Sequence, residues 1–212
     1  MGLVALGHAA PLRPLMGRLF GASAPGCPVK GMSAEELEKQ RVQASAALAG
    51  AVPAKRRVAG PFVIGETKRG DVEAWASRAS LTCTPALVGA ALRCADVPSA
   101  ALAAAVEGAP AGEDVFARFA PSGVLVGLDV MRAPTSGAHA AALLTWLRER
   151  ALNEVGSPTA APAALSAASL DAPGIQMIST EYRFSDYAVD LGVSRLVPKG
   201  PLVVREQYRA VN

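Results

Sequence analysis

The stretch from Gly123 to Glu154 constrains the fold of this chain more than any other. An apolar run, Gly123-Val-Leu-Val-Gly-Leu-Asp-Val-Met131, meets a polar loop, Arg132-Ala-Pro-Thr-Ser-Gly137, and then an Ala/Leu-rich segment to Glu154. The short apolar run, with turn residues before and after it, reads as a strand. In the following segment Ala140, Leu143, Leu144, Leu147 and Ala151 share one helical face. Arg148, Glu149, Arg150 and Glu154 lie mostly on the other, and Gly156 stops the helix.

The neighbouring segments extend this strand–loop–helix unit in both directions. Val115–Phe119 is separated from Gly123 by a short Ala-Pro-Ser-containing loop, which predicts a β-hairpin. Near the C-terminus Ile178, Thr180, Tyr182 and Phe184 alternate, as do Val189, Leu191 and Val193, and Leu202-Val-Val204 opens a last run. Three such runs in succession predict an antiparallel meander that completes one sheet with the hairpin. Between Asp71 and Glu107 the pattern predicts three short helices. Thr84-Pro85 and Asp96-Val-Pro98 supply caps and early prolines, Gly108 a C-terminal cap, and Leu87, Val88, Leu92, Leu102 and Val106 the packing face.

Upstream, Ser33-Ala-Glu-Glu36 is a capping box that starts a helix running to about Gly50, and Pro61–Thr67 reads as a short strand. The fold class expected is therefore α+β. An antiparallel sheet, made of the hairpin and the three-strand meander, packs with short helices behind an extended N-terminal arm and one capped helix. The corresponding segments are an arm with its helix (1–60), an α+β body (61–156), an Ala/Pro-rich linker (157–173) and the closing strands (174–212).

Composition bears on function mainly by exclusion. The chain is 51% hydrophobic, much of it Ala, so Leu, Val, Phe, Met and Trp must supply the core. Aromatics at 5% are sparse for a base-stacking surface, and a net charge of +3 is a mild basic lean. No run reaches the roughly 18 apolar residues of a membrane-spanning helix. Cys27, Cys83 and Cys94 are odd in number and lack CxxC spacing, which argues against a disulfide framework and against a cysteine zinc site. With only His8 and His139 as imidazoles, no metal or other cofactor is expected.

Two regions offer candidate contacts. At the strand–helix junction, Arg132, Thr135, Ser136, Gly137 and His139 surround a helix N-terminus, where N–H groups and the helix dipole favour an anion. The loop has neither GxxxxGK[ST] nor GxGxxG, and the plainer reading is that Ser136 caps the helix, Pro134 shapes the loop, and Arg132 and His139 are solvated. A Cys83–His139 nucleophile–base pair oriented by Asp129 is a further arrangement to weigh, although nothing in the sequence brings the three together. The second region is the basic N-terminal part. Residues 1–32 contain no acidic residue and carry Arg13 and Arg18, in the manner of an organellar transit segment, though four prolines interrupt any long helix. Together with Arg56, Arg57 and the large side chain of Trp75, these arginines are candidate contacts to protein subunits, RNA or anionic lipid. The expectation is a non-enzymatic accessory subunit of a large, mitochondrial multi-protein assembly. The alternatives are an anion-binding domain using residues 132–139 and an RNA-contacting ribosomal subunit.

Overall fold

Residues 32–102, 113–162 and 166–211 are described by a computed structural model, and they form an α+β fold. Its centre is a seven-stranded antiparallel sheet: β3 (Cys83–Ala86), β4 (Ala91–Val97), β5 (Glu113–Phe119), β6 (Leu125–Arg132), β7 (Gln176–Arg183), β8 (Tyr187–Arg195) and β9 (Val203–Ala210). The spatial order is β3-β4-β5-β6-β9-β8-β7. Two meanders thus meet at the β6–β9 pair, where Leu128 faces Tyr208 and Val130 faces Glu206. A separate hairpin joins β1 (Val58–Ala59) to β2 (Phe62–Val63).

Side-chain alternation assigns the two faces. Leu128, Val130, Tyr208, Val204, Val189, Leu191 and Tyr182 point to one side and are buried. Against that side packs α3 (Gly137–Glu154), with Leu143, Leu144 and Leu147 each at most 2% exposed. Fully burying a side chain of this size contributes about 1.5–3 kcal/mol, so this helix and strand face anchor the core. The five-residue helix α4 (Ala167–Asp171) packs on α3 and is held at its C-terminal end by Arg195. The Arg195 guanidinium donates to the carbonyls of Leu170 (2.8 Å) and Ala172 (2.5 Å), where the helix dipole favours a cation. The β1–β2 hairpin and α2 (Arg69–Arg78) complete this layer. Trp75 of α2 meets Phe62 edge-to-face at 5.1 Å, and its indole N–H donates to the Ala101 carbonyl.

The first helix, α1 (Ala34–Ala46), starts at the expected capping box: Ser33 accepts from the Glu36 N–H, and the Glu36 carboxylate accepts from the Ser33 N–H. Among its described side chains Ser45 alone is buried, and Val42 is 39% exposed. The helix is tied down by polar bonds instead, from Arg41 and Ser45 to the carbonyls of Ala210 and Val211.

The hairpin of β5 and β6 and the meander β7-β8-β9 form as the alternation predicts. The three helices expected over residues 71–107 do not form in the described part of that span, residues 71–102. There only α2 is an α-helix; β3 and β4 follow it, with 3-10 turns at Leu87–Gly89 and Ser99–Leu102. Pro85 sits on the sheet's edge strand, where a missing N–H breaks no ladder bond. Leu87 and Val88 take positive φ (48° and 54°) and turn outward, so two residues read as core form a hairpin tip. Val106 and Gly108 lie outside the described residues. The expected linker is also partly built into the fold: Ala160 bridges to Glu181 of β7, and α4 follows.

Candidate interaction surface

The second face of the sheet is the one whose side chains are polar. On the same strands that bury Leu128 and Tyr208, the intervening positions carry Arg118, Asp129, Arg205, Gln207, Arg209, Asp190, Arg183 and Glu181. These join into one network across five strands. Asp129 accepts from Arg118 (2.8 Å), Arg205 (3.1 Å) and Gln207 (2.5 Å). Gln207 in turn accepts from Arg209 (2.6 Å), which lies 3.2 Å from Asp190. Arg183 pairs with both Asp190 (2.6 Å) and Glu181 (3.0 Å).

Register explains the order. Arg118, Gly127, Arg209, Ala188 and Arg183 lie in one row across the sheet, and Asp129, Gln207, Asp190 and Glu181 lie in the next. A row of guanidiniums therefore runs beside a row of carboxylates. The small residues in the arginine row matter: a Cβ at Gly127 would lie 3.0 Å from the Arg118 Nε, so the guanidinium uses that space to reach Asp129. Four arginines against three carboxylates leave one positive charge. Burial lowers the pKa of Arg209; Asp190 and Asp129 oppose that, and Arg118 and Arg183 reinforce it. Arg205, with half its side chain exposed, extends furthest toward solvent. Chemically the face offers pre-ordered N–H donors flanked by acceptors, the requirement for recognising a polar, charge-bearing surface.

At the strand–helix junction the N-cap expected of Ser136 is formed. Ser136 caps α3 by accepting from the His139 N–H at 3.2 Å, and Thr135 Oγ1 lies 2.6 Å from His139 Nδ1. The Gly137 N–H, the first donor of the helix, is taken by the Asp171 carboxylate at 2.7 Å. A Cβ at Gly137 would come within 2.7 Å of that carboxylate, so glycine permits the approach. The position an external anion would take is filled by the chain's own carboxylate. Arg132 leaves this group altogether. Its guanidinium is buried on the core face, where Nε and Nη2 both donate to Glu206 Oε1, and Tyr208 donates to Glu206 Oε2 at 2.6 Å. Thr135, Ser136, Gly137 and His139 thus stay together, and Arg132 is separated from them.

The other expected contacts divide three ways. Arg13 and Arg18 lie outside the described residues. Arg56 is exposed, and Arg57 is paired with Glu66 at 3.0 Å. Trp75, 8% exposed, belongs to the core and is not offered to a partner. Cys83 is joined to Cys94 in a disulfide across the β3–β4 register, which overturns the reading that these cysteines form no disulfide and removes Cys83 as a thiol nucleophile. Asp129, its supposed orienting partner, is occupied on the polar face. Among the described residues no group of three His, Cys, Asp or Glu is placed to hold a metal, and no helix is long and apolar enough to cross a membrane. A groove of about 440 Å³ on α3 is lined by Trp146, Glu149, Arg150, Asn153 and Glu154. Its guanidinium is already engaged: Arg150 lies over Trp146, pairs with Glu154 at 3.0 Å and donates to the Gly60 carbonyl.

Comparison of the chain with protein-family models, with curated proteins and with solved structures finds no match. The polar-face network is the assembly that reading by local motif misses. Its signal in the sequence is the period-2 placement of charge within apolar strands, as at Glu181, Arg183 and Asp190, which taken one residue at a time reads as ordinary solvent exposure.

Proposed function

We propose that this chain is a non-enzymatic interaction subunit of a larger protein assembly, and that the polar sheet face is its docking surface. The observation that supports the reading is the network from Arg118 to Glu181, ordered across five strands and at least partly exposed at every member but Asp129. Interfaces that use ordered arginines beside carboxylates gain specificity and register from charge complementarity. The partner best suited to the face presents carboxylates to Arg205 and its neighbours.

The acidic-poor N-terminus favours an organelle such as the mitochondrion for this assembly. The Cys83–Cys94 disulfide supports a compartment more oxidising than the cytosol, where thiols are kept reduced. Native extract separated by size, with chemical cross-linking and mass spectrometry, tests the proposal. The protein is expected in a large complex with fixed partners, and Arg205→Ala is expected to release it while Arg56→Ala, off that face, does not. Migration as a free 21.6 kDa species, or a complex indifferent to Arg205, would sink it.

A further inference from the structure

The outer edge of β7 is closed at one end and open at the other. The Glu181 N–H donates to the Ala160 carbonyl at 2.8 Å, and its carbonyl accepts from the N–H groups of Thr159 and Ala160. The Arg183 N–H is taken by Thr159 Oγ1 at 2.9 Å. Backbone groups of a strand alternate between its two edges, so those of Met177 and Ser179 also point outward, and an added strand that continues the alternation past Gln176 meets those of Ile175. None of these has a partner among the described residues. Pro173 ends the open stretch because it has no N–H to offer.

This edge lacks the devices that usually protect one. Natural edges carry Lys, Pro, bulges or inward charges; here Ile175-Gln-Met-Ile-Ser179 has none of them. Ile175 and Met177 are 68% and 76% exposed, and Leu196 and Val197 stand 67% and 63% exposed just beyond β8, whose Arg195 pairs with Gln176. Four large apolar side chains therefore gather beside unpaired backbone.

We propose that a second copy of this chain adds its own β7 to this edge, antiparallel, about a twofold axis at Met177. With the axis there, Met177 faces the partner's Met177, and Ile175 faces the partner's Ser179. Each facing pair exchanges two N–H···O=C bonds, because the groups of Met177 and Ser179 point outward and the added strand meets those of Ile175. The register has little freedom. Sliding the axis toward Ser179 drives Ile175 onto the position at Glu181 that Ala160 already occupies, and sliding it toward Ile175 brings in Pro173. Charge points to a copy rather than to a charged peptide: the open stretch has no charged residue, so the twofold brings no like charges together. The same operation lays Ile175 and Met177 of both copies side by side, covering apolar surface that each leaves exposed.

Sedimentation of the purified full-length protein over a concentration series tests this without any other partner, so it stands or falls separately from the proposed assembly. A reversible species of twice the 21.6 kDa monomer mass is expected. Met177→Lys, which sets two ammonium groups across the axis, is expected to weaken association at least tenfold with an unchanged circular dichroism spectrum. In a Cys27→Ser background, Met177→Cys is expected to oxidise to a covalent dimer. Hydrogen-bonded antiparallel pairs have Cα atoms about 5.5 Å apart, within disulfide reach. Ser194→Cys, one strand inward, is expected to remain uncrosslinked. A monomer at every concentration without cross-linking at residue 177, or a dimer that Met177→Lys leaves intact, overturns the proposal.

Discussion

Replacing Arg132 by Met tests the energetics of the core most directly. Arg132 and Glu206 have side chains 1% and 2% exposed, so each charge has lost nearly all its water. The cost of that desolvation is offset by the Nε bond at 2.7 Å, the second guanidinium bond to the same oxygen, and the Tyr208 hydroxyl on the other. Removing the guanidinium alone leaves the carboxylate buried with one neutral donor. Breaking a buried pair in this way costs about 3–5 kcal/mol. At roughly 2–4 °C per kcal/mol for a domain of this size, Tm is expected to fall by about 6–20 °C.

The same reasoning predicts a reversal. Glu206→Met added to Arg132→Met removes the stranded charge and leaves the Tyr208 hydroxyl as the orphan, at about 1–3 kcal/mol. Tyr208→Phe then removes that too, and the triple variant is expected to recover most of the lost stability, because an apolar replacement of a whole buried network is often near neutral. Guanidinium denaturation of the four proteins measures this ladder. A single variant that loses less than about 1 kcal/mol, or a triple variant less stable than the single one, refutes the account of Glu206 as a carboxylate stabilised chiefly by Arg132.

The disulfide and the tyrosines give independent expectations. Cys83 and Cys94 are 11 residues apart, so reduction is expected to cost about 2–3 kcal/mol, and alkylation in non-reducing denaturant is expected to modify one cysteine of the three. All three tyrosines have raised pKa values: burial is the main cause at Tyr182, Tyr187 and Tyr208, and Glu206 adds to it at Tyr208. A phenol that holds its proton longer when folded contributes stability below the unfolded value of about 10 and loses it as pH rises toward the folded value. Stability is therefore expected to fall above pH ~10 by up to about 1.4 kcal/mol per pH unit for each tyrosine, with phenolate absorbance appearing together with unfolding. At the α3 N-terminus, Asp171→Ala is expected to destabilise by about 0.5–2 kcal/mol and to make Tm rise with added phosphate, a response the parent chain lacks; no such gain would mean that the vacated N–H groups do not attract anions.

The most legible parts of this fold are those where local pattern and burial agree. In α3 the residues at helical spacing are the buried ones, and the Ser33 and Ser136 caps are stated by the sequence outright. Strands β7 to β9 alternate because one face is buried. The β3–β4 hairpin was hidden because its tip uses Leu87, Val88 and Gly89 in left-handed conformations, and apolar residues there imitate a helical packing face. Cys83 and Cys94 are joined by register rather than spacing, so no local rule for cysteines pairs them. Arg132 misleads in a similar way: adjacency to Thr135 and Ser136 suggests one loop, while strand parity turns its side chain into the core.

Parity also separates the two ionic systems, which sit on the same pair of strands. On β6 and β9 the side chains of Arg132 and Glu206 face inward, whereas Asp129, Arg205 and Gln207 face outward. Inside, the ions depend on each other because water has gone. Outside, a pair such as Arg205–Asp129 is worth about 0–1 kcal/mol, since Arg205 is half exposed and solvent screens it. Arg205→Ala is therefore expected to change unfolding free energy by less than about 1 kcal/mol, in contrast to Arg132→Met. A loss of 3 kcal/mol or more at Arg205 would show that the outer network holds the sheet together, and would remove the ground for reading it as an interaction surface. With the smaller loss, Arg205 contributes little to holding the fold, which is what the proposed docking surface requires of it.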